Sequence, residues 1–438
     1  MTHQLTTGCC IVGGGPSGMM LGYLLARAGV DVVVLEKHAD FLRDFRGDTI
    51  HPSTLELMHE LGILSDFLRL PHQEVCELKA RFGGLELTFA DFSHLPTQCK
   101  FIALMPQWDF LNFLSERGRR YPGFRVMMKT AATDLIEHEG AVVGVRADTP
   151  DGVLELRAPL VVGCDGRHSL VRQKAGLEVA NLGAPMDVVW FRMRRKPDDP
   201  DETMGLFEAG RIFVVINRGD YWQCGYVIPK GSFEEVRRGG LTPFCAQLAR
   251  TLPLFADRVG ELTDWDQIKL LTVAVDRLKR WYRRGLICIG DAAHAMSPVG
   301  GVGINLAVQD AVAAANILAE PLLEHFQEKW NPVFRPEMRQ REDAGVVGED
   351  LLRRVQERRE FPTRMIQRAQ ILIQERVITG VLGRRDQITP PLLVKLLRAV
   401  PILRRIPARI LGIGIRPEHI RTPEQFAVGK PAKGASAV

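Results

Sequence analysis

The chain has 438 residues and eight cysteines, but no C-x-x-C pair among them. No Cys/His spacing suited to a metal occurs either, which argues against dithiol redox chemistry and structural zinc. Most of the cysteines sit inside apolar runs such as Cys9-Cys10-Ile11-Val12 and Leu286-Ile287-Cys288, where a thiol behaves as a small buried hydrophobe. The first fifteen residues lack the basic and long apolar regions of a secretory signal. No apolar run of about 18 residues marks a membrane span. These features lead us to expect a soluble cytoplasmic protein. No Ser–His or Cys–His pattern marks an activated protein nucleophile.

Hydrophobic residues make up 46% and charged residues 25%, an ordinary globular composition. At roughly 150 residues per domain the length allows two or three domains, and a chain this long builds a core without staples. The formal net charge of +5 hides an asymmetry. Residues 351–438 hold 18 Lys+Arg against 6 Asp+Glu, or +12, whereas the first 350 hold 39 against 46, or −7.

Residues 8–12 read as a buried parallel strand leading into Gly13-Gly14-Gly15-Pro16-Ser17-Gly18. A helix is expected over 18–27 and a second strand over 31–35, closing on Glu36-Lys37. The spacing Gly13-x-Gly15-x-x-Gly18 suits a dinucleotide: Gly13 permits the tight turn, Gly15 lets backbone approach a pyrophosphate, and Gly18 lets helix pack on strand. The helix N-terminus presents N–H groups and a positive dipole end to phosphates. Glu36 stands where a carboxylate accepts bonds from ribose hydroxyls, which disfavours a 2′-phosphate and points to FAD or NAD, not NADP. Gly13, Gly15, Ser17, Gly18, Glu36 and Lys37 are therefore candidate cofactor ligands.

Two more strands end in chemistry-bearing turns. Residues 160–163 run into Cys164-Asp165-Gly166-Arg167-His168-Ser169. Residues 285–289 run into Gly290-Asp291-Ala292-Ala293-His294, then Pro298, Gly300, Gly301, Gly303, Ile304 and Asn305, opening an alanine-rich helix expected to stop before Pro321. An Asp at a strand end can hold a sugar-like hydroxyl, and a glycine-rich helix start can stabilise negative charge on a ring edge.

In this order, the three motifs resemble those of the single-component flavoprotein aromatic hydroxylases, the p-hydroxybenzoate hydroxylase family, over roughly residues 8–320. The resemblance implies an α/β fold with a Rossmann-type, glutathione-reductase-like FAD-binding domain, an inserted antiparallel β-sheet substrate domain and a C-terminal helical segment. It implies tightly held, non-covalent FAD, with NADPH or NADH as transient reductant and O2 as co-substrate. The absence of a second GxGxxG fits a nicotinamide that binds only transiently. By the same resemblance Glu36 would hold the FAD ribose, Arg46 the phosphates, Gln107 the ribityl region and Asp291 a ribityl hydroxyl. Asp165 would tie its segment to the flavin side and to NAD(P)H docking. Gly301, Gly303, Ile304 and Asn305 would face the flavin pyrimidine edge, and Pro298 the reactive C4a edge. His51, after a segment that walls the active site in relatives, is a further catalytic candidate; His294 and His168 read as scaffold.

The implied activity is NAD(P)H-dependent hydroxylation of an electron-rich, aromatic or polycyclic small molecule through a flavin C4a-hydroperoxide. The protein supplies positioning, water exclusion and charge stabilisation. The alternatives are a halogenase, for which Cys224-Gly225-Tyr226-Val227-Ile228-Pro229 lacks the expected tryptophans, a reductase of a prenyl- or quinone-like lipid, and a non-enzymatic flavin or nucleotide sensor, which the intact Pro298–Asn305 run disfavours.

Between the second and third motifs, strands are expected over 186–193, 211–217, 221–228 and 268–275, with another pair over 77–89 turning at Gly83-Gly84. Trp190, Phe213, Trp222 and Tyr226 are pocket candidates, though core packing is the better reading for each. The expected organisation is an FAD-binding domain from 1–73, 99–180 and 280–350, a substrate domain from 74–98 and 181–279, and a basic helical region over 351–438. Helices are expected over 351–360 and 363–382, separated by Pro362, with shorter apolar–basic pieces beyond. The favoured reading packs these on their own protein, over the active-site entrance or a homodimer surface. The other is a basic amphipathic surface that meets anionic lipid. No nucleic-acid module accompanies the arginines, and 429–438 read as a disordered tail.

Overall fold

The computed structural model describes residues 2–42, 49–330, 345–383 and 392–425. Arg46 and the 429–438 tail lie outside the described residues. A six-stranded sheet runs in the order Tyr282–Arg283, Leu286–Cys288, Val161–Gly163, Cys9–Val12, Val32–Leu35, Phe124–Met127. All neighbours are parallel except the first pair. The runs Cys-Cys-Ile-Val, Val-Val-Val-Leu, Val-Val-Gly and Leu-Ile-Cys are buried throughout, as a sheet covered on both faces requires. The register sets Val12 against both Leu35 and Gly163, and Gly163 against Cys288. Gly13, Glu36, Asp165 and Asp291 therefore all leave one edge of this sheet, outside the carboxyl ends of its parallel strands, where open α/β sheets bind ligands.

A seven-stranded sheet lies beyond: Lys269–Leu271, Met186–Arg194, Tyr221–Pro229, Arg211–Asn217, Met204–Glu208, Glu77–Phe82, Leu85–Asp91. Its single parallel pairing joins Met204–Glu208 to Glu77–Phe82, which draws the early hairpin into the later strands. Alternation splits its faces. Phe191, Phe213 and Trp222 pack on Phe244 and Leu248 of helix Leu241–Thr251. Met186, Val188, Ile212 and Val227 turn the other way, toward Val299, Ile378 and Val381. The expected strand over 268–275 is only Lys269–Leu271; the chain then re-pairs as Asp276–Leu278 with Val179–Asn181. The sequence reading also passed over a four-stranded sheet built from Thr2–Thr6 and the strands between Ala131 and Arg157.

Two helices continue through prolines expected to end them. Gly303–Trp330 runs past Pro321, and Glu349–Ile373 runs past Pro362. An interior proline removes one helical bond and crowds the preceding turn, but Pro362 is buried in a helix whose whole face is packed, so tertiary contacts override local preference. A π-helical turn, Gln374–Ile378, carries the second helix into Thr379–Leu382. Contrary to the sequence expectation of no such run, Val299–Glu324 is apolar and long enough to cross a membrane. However, 83% of the window is buried, so this is the core helix of the fold.

Candidate active site: the flavin cradle

Gly13 has φ +108, and a Cβ there would lie 2.4 Å from the Cys164 carbonyl oxygen; a Cβ on Gly18 would lie 2.0 Å from that of Gly13. Both positions need glycine so that helix Pro16–Arg27 and the second motif can close on the strand end. Gly15 is different: its nearest neighbour would be 3.9 Å away. Gly15 is the N-cap of that helix, and no side chain caps it. Added Cβ atoms on Gly166 and Gly303 would meet nothing within 4 Å. The strand edge therefore leaves backbone open at two helix N-termini and at the turn between them, as a dinucleotide cradle requires.

Glu36 is 8% exposed. Its two oxygens accept bonds from the Gly14 and His38 backbone N–H groups, both at 3.0 Å, which fix the carboxylate at the strand end beside the glycine turn. Lys37 is exposed next to it. Ser17 is buried, with its hydroxyl close to Gly290. Gln107 begins helix Gln107–Gly118, and its neighbours Pro106, Trp108 and Asp109 line a 240 Å³ concavity shared with Arg218 and Tyr221.

Asp165 faces inward: Ser169 Oγ donates to one oxygen at 2.5 Å and the Val171 N–H to the other at 3.1 Å. Ser169 in turn caps helix Leu170–Lys174 through the Arg172 N–H. Burial pushes the Asp165 carboxyl up despite these bonds. Its visible work is to shape the segment after the second strand. Asp291 Oδ2 receives Arg167 Nε at 3.2 Å, and Arg167 also reaches the Thr272 carbonyl. Arg167 thus ties the second and third motifs together, a link that sequence reasoning missed.

Beyond Asp291 the chain turns through Pro298, Gly300 (φ +81) and Gly301 (φ +63) into the core helix. The Gly301 carbonyl accepts from Thr49 Oγ1 at 2.7 Å. Asn305 Oδ1 accepts from Ser53 and Thr54 hydroxyls at 2.6 and 2.8 Å. These bonds clamp the helix start, where Gly303, Ile304 and Asn305 present backbone N–H groups and a positive dipole end.

His51 is fully buried. Nδ1 lies 2.8 Å from the Leu411 carbonyl and Nε2 3.1 Å from that of Gly301. Two carbonyls around one ring favour the imidazolium, yet burial dominates and lowers its pKa to about 4. His51, neutral and so with one N–H to donate, is packed between the flavin-edge turn and the C-terminal segment, and its burial and backbone neighbours correct the expectation of a catalytic His51. Phe213 and Trp222 are likewise core, and Tyr226 lies on the same remote face. Trp190 lies on the face toward Val299, with Nε1 buried and unpartnered among the described residues.

The long C-terminal helix adds machinery that no motif announced. Gln370 accepts from the Ser297 N–H at 3.2 Å and donates to the Ser297 and Val299 carbonyls at 3.0 and 2.8 Å, so that one side chain brackets Pro298. Gln374 donates to Ser297 Oγ. Gln367 reaches the Asp276 and Ala295 carbonyls, and Gln356 the Trp281 N–H and Lys279 carbonyl. Beneath them, Asp310 of the core helix accepts from Gly290 N–H at 3.1 Å, lies 2.5 Å from His294 Nε2, and binds Arg359 Nε at 2.9 Å. Burial alone would raise the Asp310 carboxyl, but His294 and Arg359 hold it below its usual range. Arg359 also meets Glu418 at 3.4 Å. A carboxylate, Asp310, inside the apolar, alanine-rich first half of the core helix, and glutamines spaced three, four or more residues apart on another, were the available signals.

Fold and cradle together define an FAD-binding oxidoreductase of the Rossmann type. A family model described as "FAD binding domain" matches residues 6–339. The chain is 31% identical over 430 residues to 6-methylpretetramide 4-monooxygenase from Streptomyces rimosus, covering 97% of this chain and 96% of that protein. It is 27% identical over 339 residues to para-nitrophenol 4-monooxygenase from a Pseudomonas species, covering 71% and 77%. Anhydrotetracycline hydroxylase from Streptomyces rimosus superposes with a TM-score of 0.71 at 21% identity, covering 94% of this chain and 77% of that one. The chain belongs to the FAD-dependent aromatic hydroxylase family and is an FAD-dependent monooxygenase.

Proposed function

We propose that the enzyme uses NAD(P)H and O2 to hydroxylate a polycyclic aromatic phenol of the pretetramide kind. The observation that carries this is the match along essentially the whole chain, C-terminal helices included, to a 6-methylpretetramide 4-monooxygenase. When bound, FAD supplies the redox and oxygen chemistry; the chain's residues position, enclose and polarise.

Gly13, Gly15 and Gly18, with the uncapped N–H groups around Ser17, cradle the pyrophosphate. Glu36 would hold the ribose, with Lys37 beside it at the strand end. Gln107 and Asp291 hold the ribityl chain. Gly303, Ile304 and Asn305 would offer their first-turn backbone N–H groups to the pyrimidine edge, where negative charge develops, and such preorganised donors cost no reorganisation during reaction; the Gly301 N–H is instead spent on the Pro298 carbonyl and fixes the turn before them. Pro298 would border the reacting edge of bound FAD, and the apolar sheet face of Val188, Ile212 and Val227, packed toward Val299, would help exclude water there. All eight cysteines are free, and burial raises those of the core strands, which suits a reducing cytoplasm.

Purified protein should be yellow and release FAD, not FMN. A panel of polycyclic phenols should contain one that accelerates NADH or NADPH oxidation, with O2 uptake matching hydroxylated product. Colourless protein that fails to bind FAD, or oxidation without oxygenated product across the panel, refutes the reading.

A further inference from the structure

The C-terminal charge excess becomes specific once its residues are placed. Helices Leu392–Ala399 and Arg405–Gly412, joined by a 3-10 turn over Pro401–Arg404, lie along strand Leu85–Asp91. Their inner sides are committed: Leu397 and Leu403 join Phe82 and Leu87, and Ala408 joins Phe92 and Leu95. Their outer side is not. Ile402, Ile406 and Ile410 are 60%, 58% and 37% exposed. Ile406 and Ile410, four residues apart on the second helix, share one face, and Ile402 lies in the turn just before it. Leu396 and Val400, 45% and 38% exposed, add to the exposed apolar surface of the segment.

Residues 392–412 contain five cations and no carboxylate. Among the described residues Lys395, Arg398 and Arg409 have no ion-pair partner. Arg404 Nε is turned back to the Leu397 carbonyl, and Arg405 reaches His94, with Asp91 beyond it. Exposed apolar residues flanked by unpaired cations on short helices are the signature of a surface that lies in a lipid headgroup layer. A second copy is a poor occupant: a two-fold interface sets the same patch against itself, placing these cations against one another with no acid in the segment to separate them.

We propose that this face docks the enzyme onto an anionic lipid membrane, the exposed isoleucines entering the headgroup–acyl boundary and Lys395, Arg398 and Arg409 meeting lipid phosphates. The docked helix also touches the flavin-edge turn. Leu411 lies against Gly300, and its carbonyl lies beside His51. Docking thus places the substrate domain at the membrane, where an apolar polycyclic compound partitions.

The test is co-sedimentation of the full-length FAD-loaded enzyme with phosphatidylcholine vesicles and with equimolar phosphatidylcholine/phosphatidylglycerol vesicles, at low and high salt. Binding is expected only with phosphatidylglycerol, and it weakens with salt. The Arg398→Gln/Arg409→Gln pair should lower partitioning about 25-fold, at about fivefold per lost cation. Ile402→Asp/Ile406→Asp should lower it at least about tenfold. FAD content and melting temperature of each variant should match the parent, since both substitutions lie on exposed positions. Failure to pellet above the phosphatidylcholine control overturns the proposal, as does unchanged binding of either variant. A wild-type dimer that Ile402→Asp/Ile406→Asp converts to monomer overturns it in favour of a self-interface.

Discussion

Gln370 is the sharpest test of how the C-terminal helix serves the active site. Its amide makes three hydrogen bonds across Pro298, to Ser297 N–H and to the Ser297 and Val299 carbonyls, and it is 3% exposed. Gln370→Met keeps the unbranched shape and removes the amide. Three buried backbone groups lose partners at about 1 kcal/mol net each, or about 3 kcal/mol in all. At about 2 °C per kcal/mol for a protein this large, the apparent melting temperature should fall by about 6 °C. Gln370→Glu should cost more, because its carboxylate can accept from Ser297 but points charge at two carbonyl oxygens in a buried site.

The second readout is coupling, the hydroxylated product formed per NAD(P)H oxidised, because the freed segment borders the flavin edge. Gln356→Met is the control. It also loses bonds to a buried N–H and a carbonyl, those of Trp281 and Lys279, and should lower stability while leaving coupling intact. A Gln370→Met enzyme that melts within about 1 °C of the parent, or whose coupling matches that of Gln356→Met, refutes the reasoning.

Three further outcomes follow from the same geometry. Arg359→Met removes one of two cations from each buried acid, leaving Asp310 with His294 and Glu418 with Arg358; it should destabilise by up to about 3–5 kcal/mol, read from urea unfolding of the holoenzyme, and a loss below about 1 kcal/mol would show the network to be slack. The His51 pKa is depressed to about 4 from 6.5, so the unfolded chain binds that proton more tightly. Its contribution is complete above 6.5 and is lost as pH falls toward 4, about 3 kcal/mol in all. His51→Gln should flatten that limb of the stability profile, and a profile parallel to the parent's would count against a buried neutral His51. Gly15→Ala, whose Cβ has room, should fold yet bind FAD at least about tenfold more weakly because the methyl enters the pyrophosphate track. Gly18→Ala, 2.0 Å from a carbonyl oxygen, should instead reduce folded yield. Equal behaviour of the two would undo the division of labour between cradle and packing.

Much of the site was legible in sequence because its information is local. A glycine triplet between a buried apolar strand and a helix permits few geometries, and Glu36 follows at a distance fixed by one strand–helix–strand unit. The hairpin Glu77–Phe82/Leu85–Asp91 and the strand Arg211–Asn217 were likewise set by alternation and turn residues. Glutamine, by contrast, carries no compositional mark of burial. The helix was expected to pack on its own protein, but nothing in the sequence marked Gln356, Arg359, Thr363, Gln367, Gln370 and Gln374 as the face that does so; the structure sets that face against 276–299, whose backbone groups need partners.

The opening charge asymmetry separates in the same way. By itself the sequence determined that 351–438 carries +12 and that the three motifs lie in flavoprotein order. Only tertiary structure decided that Arg358 and Arg359 are held by Glu418, while Arg398 and Arg409 face solvent beside exposed isoleucines. It also decided that His51 is packed between the flavin-edge turn and the C-terminal segment, and that Pro321 and Pro362 do not end their helices. The physical reason is one of range. Turn geometry and strand periodicity act within a few residues, whereas ion pairing and the satisfaction of buried backbone groups depend on partners tens to hundreds of positions away.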